Sequence, residues 1–225
     1  MTGAFPSCHN PGMSNLIQRT TELAMHIVSD YVGPADIVID ATCGNGHDTL
    51  RLAEMGPAAV YAFDLQPEAI EATRDLLAKA GFTCVAEPNT AGPSIVLTCL
   101  GHEHMADFFR EHAPGPSGDG AEGEDPEGFA AAIIFNLGYL PGGDKSRTTR
   151  AQTTLTAVRS SLCMLKKDGI LCLTMYSGHP EGTEEKRALL AFAEGLDSKQ
   201  WHVCYLSMPN QKKQPPEILL ISRKK

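Results

Sequence analysis

Short β-branched runs alternate with segments of helical periodicity along almost the whole chain, and this alternation limits the fold more than any other feature. DIVID (36–40), AAVYAFD (58–64), SIVLTCL (94–100), FAAAIIFNL (129–137) and GILCLTMY (169–176) read as strands. Each is a near-continuous apolar run, the pattern of strands covered on both faces. Helical stretches over 47–55, 67–80, 103–112 and 148–166 lie between them, and another follows over 183–196. A helix over 13–32 comes first, because Leu16, Ile17, Leu23, Ala24, Ile27 and Val28 recur at helical spacing before Gly33-Pro34 stops it. Parallel strands need long crossovers, and helices supply them. WHVCYLSM (201–208) and EILLISR (217–223) are separated only by a loop, so the last pair forms an antiparallel hairpin. The expectation is an α/β fold: one seven-stranded, mostly parallel sheet with helices on both faces, over residues 1–225 as one domain.

Composition narrows the function classes. No apolar run reaches the ~18 residues that a membrane helix needs. The opening MTGAFPSCHNPGMSN lacks the basic and apolar regions of a secretory signal, so a cytoplasmic location is expected. The seven cysteines are widely spaced and form no CxxC pair, which predicts reduced, buried thiols and no structural zinc. The net charge of −8 argues against a non-specific nucleic-acid coat. Much of it comes from residues 114–128, where Asp119, Glu122, Glu124, Asp125 and Glu127 sit without a basic partner. That acidic insertion reads as a flexible surface loop. Lys212 and Lys213, with Arg223, Lys224 and Lys225, leave room for a basic patch near the C-terminal end. G-x-S-x-G and the phosphate-binding G-x-x-x-x-G-K-[ST] are both absent.

Ligands of doubly wound sheets bind beyond the carboxyl ends of the strands. DATCGNGHDT (40–49) stands there, directly after the first strand. Gly44 and Gly46 permit a tight turn, and the following helix offers free N–H groups. Thr49 replaces the third glycine of the dinucleotide fingerprint, which disfavours a nicotinamide enzyme. Asp40 would repel a pyrophosphate but welcome an ammonium group. A cofactor with both ammonium and carboxylate fits better, and S-adenosylmethionine is one. Asp40, Thr42, Gly44, Asn45, Gly46, His47, Asp48 and Thr49 are therefore candidate cofactor-binding residues. Asp64 ends the second strand, where a carboxylate accepts ribose hydroxyls; it could equally cap the next helix. Leu65 and Gln66 stand beside it. His102, in GHEH after the third strand, is a candidate for the adenine side or simple helix-start polarity.

FNLGYLPGGDK (135–145) ends the fourth strand. Asn136 offers an uncharged carbonyl acceptor and Leu137 a backbone carbonyl. Tyr139 offers a flat ring, Pro141, Gly142 and Gly143 a turned loop, and Asp144 a possible proton acceptor. These features suit methylation of an amine. An alkyl ammonium titrates near ~10, and neutral acceptors in a desolvated site would help it lose that proton. His179, in YSGHPEG, lies on the same rim.

DATCGNGHDT, AFDLQ, FNLGYLPGGDK, YSGHPEG and NQKKQPP, in this order, resemble a family once labelled putative rRNA methylases, whose characterised members are MnmM-type tRNA methyltransferases. The resemblance spans roughly residues 13–223. It implies a Rossmann-like class I methyltransferase fold using S-adenosylmethionine. It implies transfer of a methyl group to 5-aminomethyl-(2-thio)uridine at the wobble position of tRNA, giving 5-methylaminomethyl-(2-thio)uridine. The anticodon loop would then be the partner, and a homodimer is compatible with so small an enzyme. In that reading Asp40, Thr42, Gly44, Asn45, Gly46, His47, Asp48, Thr49, Asp64, Leu65, Gln66 and His102 hold the cofactor, with Asn136 touching it as well. Asn136, Leu137, Tyr139 and Asp144 serve the amine. Methylation of ribosomal RNA or a small amine, and a non-catalytic S-adenosylmethionine-binding protein, are the alternatives.

Overall fold

The structure is a computed structural model, and it describes residues 19–86, 94–112, 128–138, 149–178, 180–212 and 215–225. The strands are β1 (Ile37–Asp40), β2 (Ala59–Asp64), β3 (Cys84–Val85), β4 (Ser94–Cys99), β5 (Ala130–Leu137), β6 (Leu165–Met175), β7 (Trp201–Leu206) and β8 (Glu217–Arg223). The helices are α1 (Thr20–Ser29), α2 (His47–Glu54), α3 (Pro67–Lys79), α4 (Met105–His112), α5 (Ala151–Met164) and α6 (Pro180–Glu194). A 3-10 turn, His102–His104, leads into α4.

The strands form one sheet in the order β3-β4-β2-β1-β5-β6-β8-β7. All neighbours are parallel except β6 with β8 and β8 with β7. Strand order reverses between β1 and β5, so the crevice beyond their carboxyl ends is the natural ligand site. One face of the sheet packs Phe109, Ala157, Val158 and Leu189 against Tyr61, Phe63 and Phe135. The other packs Val28, Leu52 and Leu77 against Val38, Val60 and Ile134. Central strands therefore carry side chains buried on both faces, which explains their unbroken apolar runs.

Several boundaries differ from the sequence reading. Among the described residues the sheet has eight strands, because Cys84–Val85 adds a two-residue parallel partner outside β4. So short a strand has no detectable alternation. Strand β6 begins at Leu165, not at Gly169: Leu165 pairs with Ala130, and the register shifts before Ile170 pairs with Ala132. Asp168, at φ 60°, and the glycine after it make KKDG an interruption within the strand instead of a turn before it. The first described helix covers 20–29, and residues 13–18 lie outside the described part. So do residues 114–127 of the acidic insertion.

The expected burial of the cysteines holds for Cys43 and Cys172, but Cys99, Cys163 and Cys204 are exposed. Cys204 sits on the edge strand β7 and Cys163 on the outer side of α5, so neighbouring apolar residues did not bury them. The C-terminal basic residues lie at the far end of the sheet from the β1–β5 crevice, since Arg223 ends a strand antiparallel to β6. They are engaged there: Arg223 donates to the Leu165 carbonyl at 2.8 Å, and Lys224 to that of Ser198 at 2.6 Å. The β7–β8 connection, with Lys212, emerges at the crevice end instead. No helix among the described residues is long and apolar enough to cross a membrane.

Candidate functional site

The β1–α2 turn is held from three sides. Below, Asp40 is only 1% exposed and takes up both its oxygens internally. Its Oδ1 accepts the Thr42 N–H at 3.1 Å and its Oδ2 the Thr49 hydroxyl at 2.6 Å. Burial pushes its carboxyl up to about 7. The sequence reading placed Asp40 as a direct partner for an ammonium group; in the structure it is a closed post under the turn. The reason is Thr49, whose hydroxyl occupies the carboxylate from inside the helix.

On the β2 side, the Asp64 carboxylate accepts the Gly44 N–H at 3.0 Å and the Gln66 N–H at 2.9 Å. Gln66, not Asp64, is the N-cap residue of α3, and no side chain caps that helix. Asp64 thus ties the ends of β1 and β2 together. Each carboxylate oxygen keeps a further lone pair, and the group is partly open at the rim. Burial raises its pKa, opposed by the N–H groups of Gln66, Gly44 and Leu65. Leu65 next to it is 68% exposed, a large apolar surface standing free on the rim.

Behind the turn stands Thr73 of α3, which is buried and donates to the Gly44 carbonyl at 3.0 Å. Gly46 has φ 84°, and a Cβ there would sit 2.8 Å from the Thr73 Cα. The residue must therefore be glycine for two separate reasons, backbone conformation and space. Sequence reading missed Thr73. Its only signal was a polar residue on the apolar side of a helix, and nothing indicated which loop it would meet.

On the β5 side, the Asn136 N–H donates to Thr42 Oγ1 at 2.6 Å. Its Nδ2 donates to Asp48 Oδ2 at 2.7 Å. Its Oδ1 is enclosed and has no hydrogen-bond partner among the described residues. The structure thus brings together Asp40, Thr42, Asp48 and Asn136. It also separates their duties, since Asp48 meets Asn136. Tyr176 follows β6 beside this pair, packs near Gly138 and is 39% exposed. Burial and the Asp48 charge raise its hydroxyl pKa. Sequence reading treated Tyr176 only as the end of a strand.

Leu137 is buried at the end of β5. After it, Gly138 and Thr149 clasp one another. The Gly138 N–H donates to Thr149 Oγ1 at 3.0 Å, and the Thr149 N–H donates to the Gly138 carbonyl at 3.0 Å. The buried Glu185 accepts the hydroxyls of Thr149 at 2.8 Å and Thr154 at 2.5 Å. Tyr139, Pro141, Gly142, Gly143 and Asp144 lie outside the described residues, as does His179.

His102, 8% exposed, opens the 3-10 turn after β4 with its Nε2 enclosed and without a hydrogen-bond partner among the described residues. Glu103 stands 4.0 Å away. Burial lowers the imidazole pKa, which favours the neutral ring. Among the cofactor candidates, His47 is exposed, while Asn45 and Gln66 are half-buried at the rim.

The strand ends therefore present, in order, a histidine, a carboxylate with spare lone pairs, a glycine cradle over a helix N-terminus, and an amide oxygen seeking a donor. A ligand with a ribose beside an amino-acid group fits this row. Residues 60–222 match the family described as "Putative rRNA methylase". A protein of Arabidopsis thaliana named "tRNA (mnm(5)s(2)U34)-methyltransferase, chloroplastic" is 34% identical over 213 residues, 92% of this chain and 70% of that protein. A solved "putative rRNA-methylase" of Clostridium thermocellum superposes with a TM-score of 0.75 at 30% identity, covering 91% of this chain and 97% of that one. A "putative methyltransferase" of Streptococcus mutans, solved in complex with SAH, gives a TM-score of 0.73 at 32% identity over 91% and 98% of the two chains.

Proposed function

The chain belongs to this rRNA methylase family, and from that premise we propose that it is an S-adenosylmethionine-dependent methyltransferase acting on tRNA. Its substrate is the primary amine of 5-aminomethyl-(2-thio)uridine at the wobble position of the anticodon loop, and its product is 5-methylaminomethyl-(2-thio)uridine. The name of the Arabidopsis relative supports the substrate, and the SAH complex of the Streptococcus protein supports the cofactor. The observation in this chain that carries the reading is the enclosed Asn136 Oδ1, which has no hydrogen-bond partner among the described residues. A buried acceptor without a donor is costly unless a ligand supplies one. An amine brings N–H groups to it.

The residues divide the work along the rim. Asp64 accepts the ribose hydroxyls with its remaining lone pairs, and Leu65 covers an apolar ring edge. Gln66 and His102 flank the same end. Gly44, Asn45, Gly46 and His47 form the cradle for the amino-acid end. Thr42, Asp40 and Thr49 fix the shape of that cradle from beneath. The cofactor, when bound, supplies an electrophilic methyl group. Asn136 Oδ1 and the Leu137 carbonyl accept hydrogens of the amine and direct its lone pair. Partial desolvation beside these neutral acceptors helps the ammonium lose its proton before attack, with Asp144 as one acceptor for it. No covalent intermediate is needed, so the rate rests on alignment and exclusion of water. On the substrate side, Lys212 in the β7–β8 connection, at the crevice end of the sheet, offers a cation to the RNA backbone.

The test is nucleoside mass spectrometry. Purified protein and isotopically labelled S-adenosylmethionine are incubated with tRNA from cells that lack this methylation. Label in 5-methylaminomethyl-uridine is the expected result. Label absent from tRNA but present in ribosomal RNA or a small amine would overturn the substrate. Cofactor binding with no methylation of any of these would make the protein a binding module.

A further inference from the structure

Asn136 owes its orientation to a carboxylate that the sequence assigned to the cofactor. Asp48, in the first turn of α2, accepts the Asn136 amino group at 2.7 Å. The Asn136 backbone is fixed separately, through Thr42 at 2.6 Å. What Asp48 decides is therefore the sense of the amide: which end faces the carboxylate, and which faces the site. An ionised carboxylate can only accept, so it selects the NH2 end and leaves the oxygen outward. A protonated carboxyl can donate. It would attract the amide oxygen and turn the NH2 group toward the substrate, where it would oppose an amine's own hydrogens.

The surroundings of Asp48 bear on its charge from several elements. On α2, Arg51 Nη1 stands 3.9 Å from its Oδ1, and His47 is adjacent. The second guanidinium nitrogen of Arg51 stands 3.7 Å from Glu22 on α1. Beneath lies the buried Asp40. From β6 and its end come the Cys172 thiol and the Tyr176 hydroxyl, both raised in pKa first by burial and then by the Asp48 charge. Burial pushes Asp48 itself up, while Arg51, Asn136 and His47 draw it down.

We infer that Asp48, paired with Arg51, is a positioning residue that turns the Asn136 amide so that its carbonyl oxygen faces the substrate amine. The inference rests on the proposed function for the identity of that amine. It also gives the site a selectivity: a fixed acceptor favours groups that bring N–H, and a site built for such a donor rejects an isostere that lacks it.

The experiment combines kinetics across pH, calorimetry of S-adenosylmethionine binding, and NMR of the Asp48 carboxyl and Asn136 side-chain amide. It compares the wild type with Asp48→Asn, Arg51→Met and Arg51→Lys. Loss of the amine's own proton gives every variant a common pH slope. In the wild type, Asp48 adds a second slope to kcat/KM below the midpoint that NMR measures for its carboxyl. Arg51→Met is expected to raise both midpoints together by roughly half a unit or more, the scale of a half-exposed ion pair. Arg51→Lys is expected to restore them. Asp48→Asn should remove the second slope and lower kcat by roughly tenfold or more. Its affinity for S-adenosylmethionine should stay within about twofold of the wild type.

A second slope that Arg51→Met leaves in place would overturn the inference. So would an Asp48→Asn protein whose cofactor affinity falls as far as its turnover, because Asp48 would then be a cofactor ligand. If the wild type methylates no tRNA, the proposed function fails, and NMR alone still decides this inference. An Asn136 amide signal that follows the Asp48 titration supports it, and one that does not respond refutes it.

Discussion

Replacing Asp40 by Asn should make the stability of the protein less dependent on pH, because Asp40 is a fully enclosed acid with no basic partner among the described residues. Both oxygens accept, from Thr42 and Thr49, and burial raises the carboxyl from 3.8 to about 7. The sign follows from linkage. A folded-state pKa above the unfolded value adds stability at low pH, and that stability is lost as pH rises toward the folded pKa. The loss runs from about pH 4 to about pH 7 and stops above that. At about 1.4 kcal/mol per unit, its upper limit is about 4 kcal/mol. Between pH 5 and pH 8 the expected fall is about 2–3 kcal/mol. Asn is nearly isosteric, and its bonding can be satisfied: its oxygen keeps the Thr42 N–H, and its amino group donates to a rotated Thr49 hydroxyl. The variant should then lack this slope and differ little from wild type near pH 5. Urea unfolding of both proteins at half-unit steps from pH 5 to pH 9 measures it. Parallel stability curves would show that burial does not raise the Asp40 carboxyl in the folded protein, and would refute the reasoning.

Other predictions concern the rim. Asp64→Ala removes the ribose acceptor and the anchor for the Gly44 and Gln66 N–H groups, so calorimetry should find S-adenosylmethionine binding weakened by more than about tenfold. Asn136→Ala should leave cofactor affinity within about twofold while kcat in the tRNA assay falls by roughly a hundredfold. Gly46→Ala combines a left-handed backbone with a Cβ 2.8 Å from Thr73 Cα. It should cost about 2 kcal/mol or more by denaturant unfolding, and Thr73→Ser should not relieve it, because the obstructing atom is backbone.

How much of this was legible beforehand divides along a physical line. The strand-helix alternation, the hairpin and the rim positions of Asp40, Asp64 and Asn136 were readable. Each depends on local periodicity, or on the rule that strand ends in such sheets face the crevice. Asn136 could be singled out as an acceptor from its type and place. What no local pattern carried were the pairings across distant segments. Thr49 closes Asp40 from an ammonium ligand, Asp48 turns toward a residue 88 positions away, and Thr73 props the cradle from a different helix. Glu185 likewise reaches back 31 and 36 positions to two threonines. The C-terminal basic cluster illustrates the same limit. Its charge was plain in the sequence, but the antiparallel direction of β8 put it at the far end of the sheet from the crevice. By itself, then, the sequence determined the layers of the fold and which strand ends meet a ligand, because periodicity and turn chemistry are encoded within a few residues. Only the tertiary structure decided which polar groups satisfy one another there, and so which remain open to a ligand, because a hydrogen bond depends on geometry that the chain acquires when its separated segments pack.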